Sequence, residues 1–188
     1  MKLGCAETGL RRLYFGYGSN LWLDQMARRC PESKFVGLGI LRGWKWFINN
    51  RGYANIIPSS EDLVYGLVYK ISPSDEASLD RYEHVPAHYI KETMGIEVQL
   101  GDDGGGSLTQ GLVYIDEKRV EEGNPWEEYI HRMNMGLKDA AAKGLPKWYV
   151  EKYVRRFIPA EGEETAVEAF QPEEGALHRA ATGAKSKE

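Results

Sequence analysis

The segment Tyr14–Leu21 constrains the fold of this chain most, because it combines an aromatic strand with a glycine turn. It reads Tyr-Phe-Gly-Tyr-Gly-Ser-Asn-Leu. The aromatic residues predict a short buried strand. Gly18 has no Cβ, so the backbone can turn sharply there and approach a ligand closely. Ser19 and Asn20 are favoured before helices, and they predict a helix over residues 22–29.

A strand end, a glycine turn and a helix start leave several backbone N–H groups without partners and pointing in one direction. Such a turn predicts a binding site for a carboxylate or an oxyanion. The alternative interpretation is an ordinary connection between a strand and a helix. The turn alone does not decide between the two, because short glycine turns are common.

A second segment, residues 79–89, supplies a candidate acid–base group. Ser72 and the proline after it predict a helix start, and Glu83 is expected at the end of that helix, just before Pro86. The negative end of the helix dipole disfavours the ionised carboxylate. Shielding from water would raise its pKa further and make it a better base near neutral pH. The alternative is an exposed glutamate at a helix end, which is the commoner situation for glutamate.

The remaining pattern predicts several strands followed by two helices. Strands are expected at residues 13–17, 35–41, 44–48, 53–57, 63–71, 89–100 and 108–115. The glycine-rich segment 101–106 is predicted as the turn of the last hairpin. Asn124 is the expected cap of a helix reaching about residue 143, and Pro146 is expected to open the last helix. This order predicts an α+β fold, a curled sheet with helices to one side, and the periodicity does not show whether the sheet closes into a barrel.

Composition narrows the domain organisation and the partners. The chain has 188 residues, of which 42% are apolar, enough for one domain with a substantial core. We expect a loose N-terminus at 1–12, a single domain at 13–160 and a tail at 161–188. The formal charge of −4 argues against nucleic-acid binding. Neither a signal peptide nor an apolar run of ~20 residues is visible, so no membrane partner is expected.

Cysteine and histidine spacing argues against a metal site. The two cysteines, Cys5 and Cys30, lack the spacing of a zinc site and fit a reducing compartment, so a cytoplasmic protein is expected. His84 and His88 are four residues apart, but Pro86 between them breaks the helix that would align them on a metal. We interpret both histidines as loop or rim residues.

The turn and the glutamate segment together resemble the γ-glutamylcyclotransferase family. Residues 17–21, Tyr-Gly-Ser-Asn-Leu, resemble the family's substrate loop. Residues 78–85, Ser-Leu-Asp-Arg-Tyr-Glu-His-Val, resemble the stretch with its catalytic glutamate. Segments starting at Pro125 and Gly144 resemble its C-terminal helices. The resemblance therefore covers about residues 13–158.

The resemblance implies a small mixed β-barrel flanked by helices, and an enzyme that converts a γ-glutamyl amino acid to 5-oxoproline without a metal or an organic cofactor. It implies that Glu83 is the acid–base group. It also implies that substrate is bound by Tyr14, Phe15, Gly16, Tyr17, Gly18, Ser19, Asn20, Tyr89 and Tyr129. The chain departs from the family's pattern at Gly16, in the glycine-rich hairpin and in the tail.

Two other functions stay open. One is an enzyme of the same fold that acts on γ-glutamylamines or on a γ-glutamylated metabolite. The other is a non-catalytic module that keeps the pocket and binds a small molecule. A small γ-glutamyl compound is the expected partner, and a homodimer is left open. The sequence also does not say whether the N–H groups of residues 18–20 bind the substrate carboxylate or the oxyanion.

Overall fold

The computed structural model describes residues 10–99 and 106–162. Five strands form a closed barrel in the order β1-β3-β2-β4-β5. They are β1 (Arg12–Gly16), β2 (Lys34–Ile48), β3 (Ala54–Ile71), β4 (Ile90–Gln99) and β5 (Gly106–Ile115). Neighbouring strands are antiparallel, except that β1 and β5 run parallel where they meet. The closed mixed barrel implied by the family resemblance is confirmed.

Four of the predicted short strands merge into two long ones, β2 and β3. Gly43 has φ +81° and lies at a bulge between Arg42 and Trp44, so β2 bends there without ending. The sequence predicted that one strand would end at residue 57, but Pro58 pairs opposite Trp44 beside that bulge, inside β3. The prediction was wrong because a bulge accepts turn residues and proline without breaking the pairing on either side.

Helical segments flank the barrel. They are a 3₁₀ turn (Ser19–Leu21), α1 (Leu23–Arg29), α2 (Pro73–Tyr82), α3 (Glu127–Ala141) and α4 (Lys147–Tyr149), which continues as a π-helical turn (Val150–Val154). The predicted helices are therefore present, and the hairpin of β4 and β5 is confirmed. Outside the described residues lie Cys5, nearly all of the tail, and all of the predicted hairpin turn 101–106 except Gly106, which begins β5.

Two predicted helix caps are wrong. Ser19 and Asn20 lie inside the 3₁₀ turn, and no side chain from residues 10–99 or 106–162 caps α1. Asn124 does not cap α3, which begins only at Glu127. The intervening Trp126 is held in an extended conformation, and its indole N–H donates to the Arg51 carbonyl at 2.7 Å. This long-range hydrogen bond outweighs the local preference for Asn124 as a cap, because it fixes the backbone of the residue just before the helix.

Glycines let β1 pack closely against the barrel. The Phe15 ring is fully buried, and a Cβ added at Gly39 or Gly66 would lie 2.9 Å or 2.7 Å from it. A Cβ at Gly66 would also lie 2.7 Å from the Gly16 carbonyl oxygen. Such distances leave no room for a side chain at Gly39 or Gly66, so close packing fixes the position of the end of β1.

The start of α2 is the local structure that the sequence predicted best. The Asp75 N–H donates to Ser72 Oγ at 3.2 Å, and the Ser72 N–H donates to Asp75 Oδ2 at 3.1 Å. This reciprocal capping box, with Pro73 at the first helical position, satisfies two N–H groups that a helix start otherwise leaves unpaired.

We expect Ser72→Ala to lower the free energy of unfolding by about 0.5–2 kcal/mol, because the buried N–H of Asp75 loses its acceptor. Urea unfolding followed by circular dichroism measures the change. Ser107→Ala is the control, since Ser107 is exposed on β5. Equal stability of the two variants would contradict a stabilising role for the cap.

None of the helices within the described ranges is long and apolar enough to cross a membrane.

Candidate active site

A cavity of about 180 Å³ opens beside the end of β1. Of the ten predicted site residues, all but Gly16 line it. Its wall is formed by aromatic rings, three arginines, two histidines and one carboxylate: Tyr14, Phe15, Tyr17, Gly18, Ser19, Asn20, Arg29, Arg51, Tyr53, Ala54, Tyr82, Glu83, His84, His88, Tyr89, Tyr114, Tyr129 and Arg132. Cavities for larger ligands usually exceed about 300 Å³, so this one suits a small molecule or one end of a larger one.

The turn after β1 is held by its own side chains. Ser19 and Asn20 are buried. Gln25 Nε2 donates to Ser19 Oγ at 2.9 Å and to Asn20 Oδ1 at 3.0 Å, and Asn20 Nδ2 donates to Tyr14 Oη at 2.7 Å. The first N–H groups of the 3₁₀ turn have no partner within the turn. Gly18, Ser19 and Asn20 line the cavity, so these N–H groups belong to residues at its wall. We call residues 18–20 the donor turn.

Gly18 lies where the turn meets α3. A Cβ at this position would lie 2.9 Å from Tyr129 Oη and 3.2 Å from Ala54 Cβ. Tyr129 Oη accepts a hydrogen bond from the Ala54 N–H at 3.2 Å, and Tyr89 Oη donates to the Ala54 carbonyl at 3.0 Å. Both tyrosines are thus anchored on the first residue of β3. Only glycine permits this close approach.

The Tyr129 hydroxyl is a neutral donor at physiological pH. Burial raises its pKa to about 12, although the Ala54 N–H, Arg132 and the Ser19 N–H favour the ionised form. Its oxygen already accepts from Ala54, so its own proton can be donated to a ligand in the cavity.

Glu83 directly follows the last residue of α2 as its C-cap, at the helix end where the sequence predicted it, and it lines the cavity. Burial raises the pKa of this carboxyl, while Arg29, Arg132 and Arg51 oppose that rise in decreasing order. The remaining effect is a raised pKa, because removal from water outweighs the attraction of the arginines. A carboxylate of this kind accepts a proton more readily than an exposed one.

Comparison with known proteins places the chain in a family. Residues 14–131 match the family described as "Gamma-glutamyl cyclotransferase, AIG2-like". The chain belongs to this family. Its similarity to the human protein named gamma-glutamylcyclotransferase is 31% identity over 150 residues, which is 74% of this chain and 76% of the human one. The protein of the same name from Bos taurus is 29% identical over 157 residues, 78% of this chain and 79% of its own.

Solved structures agree with the family assignment. A structure named gamma-glutamyl cyclotransferase is 27% identical, with a TM-score of 0.67 over 81% of this chain and 90% of its own. YkqA from Bacillus subtilis, with a TM-score of 0.64 and 18% identity over 82% of this chain and 57% of its own, shares the fold.

The sequence predictions missed the arginines that surround the glutamate of this γ-glutamylcyclotransferase family member. Arg29 donates to Asn20 Oδ1 at 2.9 Å, and its guanidinium lies 4.4 Å from the centre of the Tyr82 ring. Arg132 lies 5.1 Å from the centre of the Tyr129 ring. The sequence did offer one signal for Arg132: it follows Tyr129 by three residues in a predicted helix, and residues with this spacing share a helix face.

His84 and His88 line the cavity, and their ring centres are 4.9 Å apart. Within residues 10–99 and 106–162, no group of three or more His, Cys, Asp or Glu is arranged to hold a metal ion. Tyr53, Tyr82 and Tyr114, which also line the cavity, were not among the predicted site residues.

Proposed function

We propose that this protein is a γ-glutamylcyclotransferase, which cyclises a γ-glutamyl amino acid to 5-oxoproline and releases the amino acid. The observation that carries this proposal is Glu83, a carboxyl of raised pKa in the same small cavity as the donor turn of residues 18–20. The relatives of about 30% identity that bear this name support the same reaction.

Proton transfer by Glu83 fits the order of bond changes. The substrate's α-ammonium must lose a proton before its nitrogen can attack its own γ-carbonyl carbon. Glu83 takes that proton, and the new C–N bond closes a five-membered ring. The tetrahedral intermediate collapses by breaking the bond to the leaving nitrogen, to which Glu83 returns the proton. The ring nitrogen also loses its second proton, and the released amine takes up that proton to leave as an ammonium. The atoms balance with one substrate and no other reactant.

The donor turn and Tyr129 supply the electrostatic part of the reaction. The γ-carbonyl oxygen becomes an oxyanion during the attack, and donors fixed in advance stabilise it by about 3–4 kcal/mol each in comparable sites. Tyr129 has a proton to donate, and the N–H groups of residues 18–20, which line the cavity, are the proposed further donors. The small cavity also favours a folded glutamyl chain, which supplies part of the ~7–11 kcal/mol available from orienting an intramolecular attack.

The expected partner is the small γ-glutamyl substrate, and we propose a cytoplasmic location. Cys30 is fully buried, and burial raises the pKa of its thiol to about 12. A buried, protonated thiol of this kind is unreactive and stays reduced, as cysteines do in the cytoplasm. A homodimer, which the sequence leaves open, is not part of this proposal.

Release of 5-oxoproline by the full-length protein tests the proposed function. We expect γ-glutamylalanine to yield 5-oxoproline and alanine in equal amounts, measured by chromatography, and glutathione to react more slowly. If only a γ-glutamylamine were turned over, the result would instead support an enzyme of the same fold that acts on γ-glutamylamines. Tight binding of 5-oxoproline, with no turnover of any of the three compounds, would support a binding module and overturn the proposal.

A further inference from the structure

Arg51 lines the cavity with a guanidinium group that is uncommitted, meaning that it has neither a hydrogen-bond acceptor nor a carboxylate partner among the described residues. It lies between β2 and β3, where its backbone holds the turn: its N–H donates to Asn49 Oδ1 at 3.1 Å and its carbonyl accepts from Trp126 Nε1 at 2.7 Å. The side chain stacks on the Tyr53 ring at 5.4 Å. Nη1 is buried, yet no group among the described residues accepts a hydrogen bond from it. The side chain is therefore not needed to form the turn.

His88 lies in the same wall and also has an uncommitted atom. Its Nδ1 is buried without a hydrogen-bond partner among residues 10–99 and 106–162. Besides these two, only Tyr149 has such a buried side-chain atom in the part of the chain that is described. Unpaired buried polar atoms are costly and rare in proteins. Two of them lining one cavity indicate a place for a polar ligand group.

The other two cavity arginines are committed. Arg132 donates to both Glu128 oxygens, at 2.8 Å and 2.7 Å. Arg29 donates to Asn20 in the donor turn. No ion pair of Arg51 with a carboxylate is present among the described residues. The cavity thus holds more positive than negative charge, which suits a substrate with two carboxylates and one ammonium.

The two residues that carry these buried atoms lie nearer the protein surface than the donor turn does. Arg51 and His88 are partly exposed and the neighbouring His84 is exposed, whereas Ser19 and Asn20 in the donor turn are buried. At about 180 Å³ the cavity is small beside the ~300–1,000 Å³ usual for ligand sites, so a γ-glutamyl amino acid should extend toward its open side. The glutamyl part therefore fits against the turn, and the leaving group extends toward Arg51.

We propose that Arg51, with His88 beside it, binds the carboxylate of the leaving amino acid and thereby selects γ-glutamyl amino acids over γ-glutamylamines. This inference rests on the proposed γ-glutamylcyclotransferase function. A guanidinium can grip a carboxylate with two parallel hydrogen bonds, and these bonds are stronger than those between neutral groups.

The test compares γ-glutamylalanine with γ-glutamylalaninamide, in which a neutral amide replaces the carboxylate. We expect Arg51→Gln to lower kcat/KM for γ-glutamylalanine about ten- to a hundredfold, which is the size of a lost charge-assisted hydrogen bond. Most of this loss should be in KM, because the leaving carboxylate is held equally before and during the reaction. For the amide, the change should stay within about threefold.

Two further variants sharpen this test. Arg51→Lys keeps the charge but not the paired donors, so an intermediate loss on γ-glutamylalanine is expected. Arg28→Gln is the control, since Arg28 is exposed on α1, pairs with Asp24 and does not line the cavity. It should leave both substrates unchanged.

Two results would overturn the assignment of Arg51. One is an equal loss on both substrates, and the other is unchanged kinetics of Arg51→Gln in a protein whose parent form is active. If the parent protein releases 5-oxoproline from neither compound, the proposed function itself is wrong, and that outcome is visible before any variant is made.

Discussion

Glu83→Gln is expected to slow the release of 5-oxoproline by a factor of about 10²–10⁴, the usual contribution of a positioned acid–base group. Glutamine has nearly the same shape and can still donate or accept hydrogen bonds, but it cannot take a proton from the substrate's ammonium group. The loss should therefore appear in kcat, with KM changed little. Steady-state kinetics on γ-glutamylalanine measure both values.

The same variant should gain stability while losing activity. The folded-state pKa of Glu83 is raised, so its carboxyl favours folding only while protonated. That contribution is complete below the unfolded pKa of 4.5 and is lost as pH rises through the folded pKa. We therefore expect Glu83→Gln to have a higher Tm than the parent at pH 7, with the difference shrinking towards pH 4. The activity of the parent should rise with pH over the same window.

Glu92→Gln is the matched control for this experiment, because Glu92 is an exposed carboxylate on β4. Its activity, Tm and pH profile should match those of the parent. If Glu83→Gln released 5-oxoproline at the parent rate, Glu83 would not be the base. A Tm below that of the parent at pH 7 would show that the carboxylate is stabilised by its arginines rather than destabilised by burial.

The parts of the fold that the sequence predicted well depend on short-range interactions. The start of α2 is one example, because Ser72, Pro73 and Asp75 fix it within four residues. The position of Glu83 follows directly, since it ends the same helix. The glycine turn after β1 was predicted for the same reason: Gly18 controls the backbone of its own neighbours.

The parts that the sequence did not predict depend on residues far apart in the chain. Arg51 and Arg132 come from the turn after β2 and from α3, so no local pattern brings them to one cavity. The extended conformation of Trp126 depends in the same way on the Arg51 carbonyl, 75 positions earlier. Barrel closure depends on β1 pairing with both β3 and β5, and only the family resemblance indicated it.

Gly18→Ala is expected to reduce kcat/KM about 100-fold, because the added methyl group collides with the Tyr129 hydroxyl and shifts the donor turn; displacements near 1 Å have effects of this size. Overpacking should also lower the free energy of unfolding by about 1–3 kcal/mol. The distance of 2.9 Å between the added Cβ and Tyr129 Oη makes one of the two groups move. Kinetics and urea unfolding measure the two effects separately.

Combining Gly18→Ala with Tyr129→Phe separates packing from chemistry. Removing the hydroxyl relieves the collision, so the double variant should recover much of the stability lost by Gly18→Ala. It should stay poorly active, because the donor that Tyr129 offers to the oxyanion is gone. Gly106→Ala is the control, since a Cβ there meets no atom of the described part of the chain within 4 Å. Full activity of Gly18→Ala would mean that the turn tolerates displacement. If the double variant were no more stable than Gly18→Ala, the collision would not be with the tyrosine hydroxyl.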